Sequence, residues 1–477
     1  MTTRREFLKR AGVGAGAAAL GTLARTTWPA APTVPGASSR RPNFIVFLTD
    51  DQPQLGMGCM GNAAIQTPNM DRLASEGMLF TRAFVTTAIC CCSRASILTG
   101  QHMRRHGIED FEKPLSAAQW EQTYPAILRK AGYRTAFLGK FAVGSPKMAS
   151  QGLPLPADKF DLWYGFPQNF SYKQIVDGKP RYLTTVMTEK AVKFLKEQTP
   201  DRPFCLIVAF KEPHGPLDYL DPEVPDLYVN ATIPPPVNLT QQSFDALPEI
   251  VRNGLNGSEP GGRWLKDPAS YQQSMRTIYR YISRSDLAIG QITRALKNQG
   301  LDQNTVIIHT SDNGSMEGAH RLVGKWIMYE ESICVPLIIR DPRLPATLRG
   351  RQCAEMALNI DLAPTILSMA GVPAPAQMQG TNLQPLLRDP KAPWREDWYY
   401  EHTYTTQPPR RPIPKCEGVR TRQWKYMRYP DTKPLLEQLF DLTSDPHEEK
   451  DLAKDPAHAE TLAKLRARCD EYRRTLK

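Results

Sequence analysis

The segment Asn43-Phe44-Ile45-Val46-Phe47-Leu48-Thr49 is an unbroken apolar run that stops abruptly at Asp50-Asp51. A strand without polar alternation has to be covered on both faces, as in the middle of a parallel sheet. Four more runs share the pattern: Thr135–Leu138, Phe204–Phe210, Thr305–Thr310 and Pro336–Ile339. Helical spacing occupies the intervals at Asn69–Ser75, Pro125–Lys130, Thr184–Lys196, Tyr271–Lys297 and Asp361–Met369. Strands alternating with helices predict an α/β fold, a doubly wound and mostly parallel sheet. Residues 216–265, with Pro234-Pro235-Pro236, lack periodicity and read as a long surface excursion. After about residue 375 the rhythm changes. Short antiparallel strands are expected at Trp398–Glu401, Gly418–Arg420, Lys425–Arg428 and Gln438–Leu442, then a helix over Ala457–Arg473. The organisation expected is a main domain over 42–375 and a small C-terminal α+β subdomain with an antiparallel sheet over 376–477.

The chain carries a net charge of +11, of which the first 31 residues hold +4. A basic surplus favours anionic partners. No basic run is interleaved with aromatic residues, so nucleic acid is not an expected partner. Arg4-Arg5 precede Phe7-Leu8-Lys9 and a weakly apolar stretch from Ala11 to Ala24. That stretch is shorter than the about 20 residues a membrane span needs. It matches a bacterial twin-arginine signal over 1–31, followed by a linker over 32–41. The expectation is a periplasmic or secreted protein, handled by the twin-arginine export machinery and without a stable membrane anchor.

Two of the strand runs end in oxygen donors: Asp50-Asp51 after the first, and Asp312-Asn313 after Thr305–Thr310. In open parallel sheets, ligands bind beyond the carboxyl ends of the strands. Three carboxylates and an amide oxygen, with no His or Cys at metal-ligand spacing, suit calcium or magnesium rather than zinc. Nine cysteines are present without a CxxC pair, and three of them are consecutive: Cys90, Cys91 and Cys92.

These three open the stretch Cys90-Cys91-Cys92-Ser93-Arg94, which continues to Thr99-Gly100. The stretch resembles the signature Cys-x-x-Ser-Arg-x-x-x-x-Thr-Gly of the formylglycine-dependent type I sulfatases, members of the alkaline phosphatase superfamily. Only Cys90 fits the register of the cysteine that becomes formylglycine; Cys92 stands where proline or alanine is usual. Further likenesses lie at Arg41–Gln52, Gly132–Lys140, Phe210–Pro216, Ser311–Glu331, Asp361–Thr365 and Phe440–Pro446. The resemblance implies an alkaline-phosphatase-like fold and hydrolysis of sulfate esters. It implies one Ca2+ or Mg2+ held by Asp50, Asp51, Asp312, Asn313 and the formylglycine made from Cys90. Arg94 would stabilise the hydrate, Lys140, His214 and Lys325 would clamp the sulfate, and a formylglycine-generating or sulfatase-maturating enzyme would be a partner.

One position departs from the pattern. Where the family often has Gly-Lys-Trp-His, this chain reads Gly139-Lys140-Phe141-Ala142. Some carbohydrate sulfatases also lack that histidine, which leans toward a sulfated sugar and the group resembling N-acetylglucosamine-6-sulfatases. His320 is the first candidate to serve as base or as acid in its place, and His106 the second. His309 reads as a packed core residue, and His402 as an ordinary residue of the C-terminal part, with a specificity role over the site as the lesser alternative. Two alternatives stay open: a phosphonate or phosphate monoester hydrolase of the same superfamily, and a carbohydrate-binding pseudo-sulfatase in which Cys90 stays a thiol.

Overall fold

In the computed structural model, eight strands build one central sheet. They are β1 (Asn43–Asp50), β2 (Met78–Phe80), β3 (Arg134–Lys140), β4 (Leu162–Phe166), β5 (Phe204–Pro213), β6 (Thr305–Ser311), β7 (Leu337–Arg340) and β8 (Arg351–Cys353). Their order is β8-β2-β7-β6-β1-β5-β3-β4. The structure describes residues 40–144, 155–167, 170–222, 227–257 and 264–476; the expected export segment and nearly all of the linker lie outside them. The described residues belong to one compact unit.

β1 sits between β6 and β5, with Val46 opposite Ile308 and Ile207. Its side chains feed two separate cores. Phe44, Val46 and Leu48 enter one, Ile45 and Phe47 the other. Both faces are covered: α2 (Cys90–Thr99) and α5 (Leu362–Met369) pack on the first core, α1 (Pro68–Glu76), α3 (Leu183–Lys196) and α4 (Pro268–Asn298) on the second. That is the doubly wound arrangement the unalternating run requires.

The run at Pro336–Ile339 forms a strand, but β7 is antiparallel to β6, which corrects the reading of all five runs as parallel strands. The cause is the connection. Residues 312–336 contain one four-residue α-helix and no long crossover, so the chain re-enters the sheet from the end it left. The 216–265 segment is also more than a surface excursion. Tyr228 and Ile233 are buried against Tyr271, Met275 and Ile278 of α4. A hairpin at Lys173–Val176 and Lys179–Tyr182 turns through Asp177-Gly178, both at positive φ, as a two-residue turn demands.

The C-terminal strands, β9 (Asp397–His402), β10 (Cys416–Thr421), β11 (Trp424–Tyr429) and β12 (Leu436–Asp441), pair antiparallel in sequence order. Here alternation rules. Trp398, Tyr400, Met427 and Phe440 point into the large core, while Tyr399, Val419, Tyr426 and Leu439 pack beneath Leu465 and Cys469 of α6 (Ala459–Thr475).

Candidate active site

Four adjacent strands, β6, β1, β5 and β3, run parallel and end side by side. Their carboxyl ends deliver Asp312-Asn313, Asp50-Asp51, His214 and Lys140 to one place. Gly139, with φ of +101°, lets β3 approach β5: a Cβ there would lie 2.0 Å from the Ala209 carbonyl.

The N-terminus of α2 supplies the rest. Every residue of this helix is buried. Ile89 is extended, so the helix begins at Cys90 and its unpaired N–H groups face the strand ends. Gly100 closes it in the left-handed region (φ 65°), its N–H donating to Ser96 O, which is the structural reason for Thr-Gly at the end of the signature. Cys91 and Cys92 sit in the apolar core with sulfurs 3.7 Å apart; Cys90 alone turns to the polar side.

Cys90 Sγ lies 3.2 Å from Asp50 Oδ1, 3.5 Å from Lys140 Nζ and 2.9 Å from Lys325 Nζ. Lys140 also donates to Asp50 and Lys325 to Asp51. One turn along α2, Arg94 Nε donates to Asp312 Oδ2 at 2.7 Å and a guanidinium NH to the Lys140 carbonyl. Arg94 therefore ties the end of β6 to the end of β3. His214 Nε2 stands 3.8 Å from Asp51 Oδ2.

Three carboxylates thus face three cations. Burial pushes the Asp50 carboxyl up, but Lys140, His214, Arg94 and Lys325 together hold it well below the usual range. Burial opposes the charge on Lys140 and Lys325, yet the surrounding carboxylates outweigh it and keep both protonated. Burial, and then Lys140, lower His214 to about 4, so its ring is neutral. Burial, with Asp312 and Asp50 beside it, pushes the Cys90 thiol well above its ordinary value. An unmodified Cys90 is therefore a thiol at neutral pH, not a thiolate nucleophile.

The residues fit a metal ion. One donor atom each from Asp50, Asp51, Cys90 and His214 lie within 4.8 Å of one another. Asn313 donates through Nδ2 to Asp51 Oδ1 at 2.6 Å, while its buried Oδ1 has no hydrogen-bond partner. A buried amide oxygen left unpaired is costly unless something electropositive meets it. Asp312 borders this group, with Oδ1 accepting from the Asp51 N–H at 3.2 Å.

A cavity of about 500 Å³ opens above Asp51 and His214. Trp264 and Trp326 line it, with Glu317 and Arg410 as its other ionisable groups. Sequence reasoning missed these four; only the place of Glu317 between Asn313 and Lys325 hinted at its position. Burial, and behind it the Asp51 charge, push Glu317 up to about 8, so it carries a proton at neutral pH.

The histidines are sorted by packing. His320 does not line the cavity; it is buried against the Tyr329 ring, centroids 4.8 Å apart, with Nε2 unpartnered. His106 accepts from Ile108 N–H at Nδ1 and contacts Ser96 Oγ through Nε2, both at 3.0 Å, so both nitrogens are engaged. His402 is buried beside Tyr404 rather than placed over the site. His309 is fully buried in β6, as its setting in an apolar run predicts.

A family model described as Sulfatase matches residues 42–372. The chain belongs to the sulfatase family. It is a sulfuric ester hydrolase. Residues 318–475 also match a model described as N-sulphoglucosamine sulphohydrolase, C-terminal. The sulfatase is 29% identical to an N-acetylglucosamine-6-O-sulfatase of Bacteroides thetaiotaomicron, covering 92% of this chain and 87% of that one. It is similar, with TM-score 0.79 and 28% identity, to a solved structure in complex with its substrate D-glucosamine-2-N,6-O-disulfate, covering 92% and 98%. A phosphonate monoester hydrolase of Agrobacterium radiobacter shares the fold, with TM-score 0.76 and 23% identity over 92% and 96%. Among the described residues no helix is long and apolar enough to cross a membrane.

Proposed function

We propose that the enzyme removes sulfate from a sulfated carbohydrate, using a formylglycine hydrate made from Cys90 and one calcium or magnesium ion. The observation that carries this reading is the setting of Cys90. It is the one cysteine of the three that faces the carboxylates and lysines, at the N-terminus of a buried helix. As a thiol it is held protonated there, so the position makes chemical sense for a modified side chain. The hydrate supplies two hydroxyls on one carbon, one to attack sulfur and one to expel sulfate afterwards. Asp50, Asp51, Asp312, Asn313 and residue 90 would hold the ion, which would supply Lewis-acid polarisation of the sulfate ester and a lowered pKa for the attacking hydroxyl.

Lys140 and Lys325 flank Cys90 and bind the sulfate oxygens, where negative charge grows during attack. His214, with its Nδ1–H on the Gly215 carbonyl, turns Nε2 toward Asp51 and clamps the sulfate through Nε2 when the ring is protonated. Arg94 balances the carboxylates and fixes the spacing of β6 and β3. Glu317, rather than His320, holds the proton for the leaving sugar oxygen, because it is in the cavity and protonated at neutral pH. The two tryptophans offer apolar faces to a sugar ring. The kinship with N-acetylglucosamine-6-sulfatases supports an amino-sugar 6-sulfate as substrate. Twin-arginine export to the periplasm or beyond, after maturation by a formylglycine-generating or sulfatase-maturating enzyme, completes the reading.

Peptide mass spectrometry of the Cys90 peptide tests the modification: residue 90 is expected to have lost its sulfur with two hydrogens and gained one oxygen. Sulfate release from N-acetylglucosamine 6-sulfate tests the substrate class. A chelator is expected to stop turnover, and calcium or magnesium to restore it. Two zinc ions per chain, or turnover of aryl phosphonates alone, would overturn the proposal.

A further inference from the structure

The sulfate and the leaving oxygen account for the floor of the cavity. Arg410, at its wall, remains unexplained. It has no carboxylate at ion-pair distance among the described residues, although it shares the cavity with Glu317. A sulfate ester of an otherwise neutral sugar carries one negative charge, and Lys140 and Lys325 already stand at the nucleophile to meet it.

The backbone around Arg410 is held in place. It lies on the connection between β9 and β10, whose prolines Pro408, Pro409, Pro412 and Pro414 restrict the backbone. Arg410 N–H donates to Gln407 O at 3.2 Å, and Thr406 Oγ1 donates to the Arg411 carbonyl. Leu255, itself a cavity residue, donates its N–H to Pro412 O at 3.0 Å. The side chain of Ile413 is buried. The loop is therefore stitched to the cavity wall that it overhangs. Arg410 itself is exposed along the cavity lining, and its planar fork suits a carboxylate or a sulfate.

We propose that Arg410 binds a second anionic group, a sulfate or a carboxylate, on the saccharide that carries the scissile sulfate. The inference rests on the reading of the enzyme as a carbohydrate sulfatase. It makes the substrate a doubly charged sugar and Arg410 a specificity residue rather than a participant in the chemistry.

The test compares kcat/KM for three probes: N-acetylglucosamine 6-sulfate, glucosamine N,6-disulfate, and N-acetylglucosamine 6-sulfate joined to a uronic acid. The wild type is expected to prefer one of the two doubly charged probes. Which one is preferred identifies the second group as sulfate or carboxylate. In Arg410→Ala the ratio of that probe to the singly charged one should fall about 3- to 5-fold, as for a lost charge pair at an exposed side chain. Arg410→Lys should restore part of the ratio, and raised salt should lower it in the wild type. A ratio near one in the wild type, or unchanged in Arg410→Ala, would overturn the role of Arg410 while leaving the sugar sulfatase intact. An equal loss on all three probes would assign Arg410 to the loop's architecture and overturn it too. Failure of the wild type on every sugar, with turnover of aryl sulfates, would instead remove the carbohydrate reading beneath it.

Discussion

Three consecutive cysteines differ only in direction. On α2 each residue turns by a little over a quarter of a circle, so Cys90 meets Asp50 and Lys325 while Cys91 and Cys92 fall among apolar side chains. Cys90→Ala is therefore expected to abolish sulfate release with little change in melting temperature, since it removes one small side chain. Cys91→Ala and Cys92→Ala should cost about 1 to 2 kcal/mol each in urea unfolding and keep turnover, because they lose packing and nothing else. The proton donor divides in the same way. Glu317→Gln is expected to lower kcat on a sugar sulfate by about 100-fold or more, since the alkoxide leaves poorly without a proton. The same variant should stay much closer to wild type on nitrophenyl sulfate, whose leaving group needs little help. His320→Ala should lose stability through its contact with Tyr329 but preserve the preference between the two substrates. A selective loss on sugar sulfates in His320→Ala would return the acid role to the histidine.

At the scale of elements, the loop between β6 and β7 carries both Glu317 and Lys325, and the C-terminal sheet holds it down. Lys425 on β11 is fully buried and lies 2.7 Å from both Glu330 and Glu448. Arg420 on β10 reaches Glu330 at 3.1 Å, and Glu448 accepts from the Glu330 N–H at 2.7 Å. Burial opposes the Glu330 charge, but Arg420 and Lys425 hold its carboxyl well below the ordinary range. The cluster thus fixes the residues just beyond Lys325. Breaking it with Lys425→Met should cost about 3 kcal/mol in denaturant unfolding, because a buried charge loses its partner. KM for sulfate esters should rise in the folded variant, as Lys325 loses its fixed position. An unchanged KM would show that the sheet only covers the core.

Across the whole molecule, buried histidines set the response to acid. Burial lowers His102, His106, His309 and His402 to about 3 and His320 to about 4. Each is neutral in the fold and gains a proton near pH 6.5 once unfolded. Their contribution is complete above that pH and is lost as pH falls toward 4. His309, with both ring nitrogens unpartnered, isolates the effect. The stability of His309→Leu relative to wild type should improve on going from pH 7 to pH 5, by up to about 1.4 kcal/mol per pH unit below 6.5. A constant difference across that range would contradict a buried neutral ring. Much of the fold was legible because burial on both faces of a strand leaves a mark in linear order, and the runs at 43–49, 204–210 and 305–310 became the central strands β1, β5 and β6. The short strands β2 and β8 left no such mark, and the direction of β7 depended on a missing crossover that no local pattern records. The sequence by itself determined the family and the oxygen donors at two strand ends, since each is a matter of residue type and spacing. Only the tertiary structure decided that Glu317, Trp264, Trp326 and Arg410 share one cavity and that His320 does not line it. The physical reason is that strand alternation and helix spacing act over a few residues, whereas the walls of a cavity are drawn from segments hundreds of residues apart whose meeting is settled by packing.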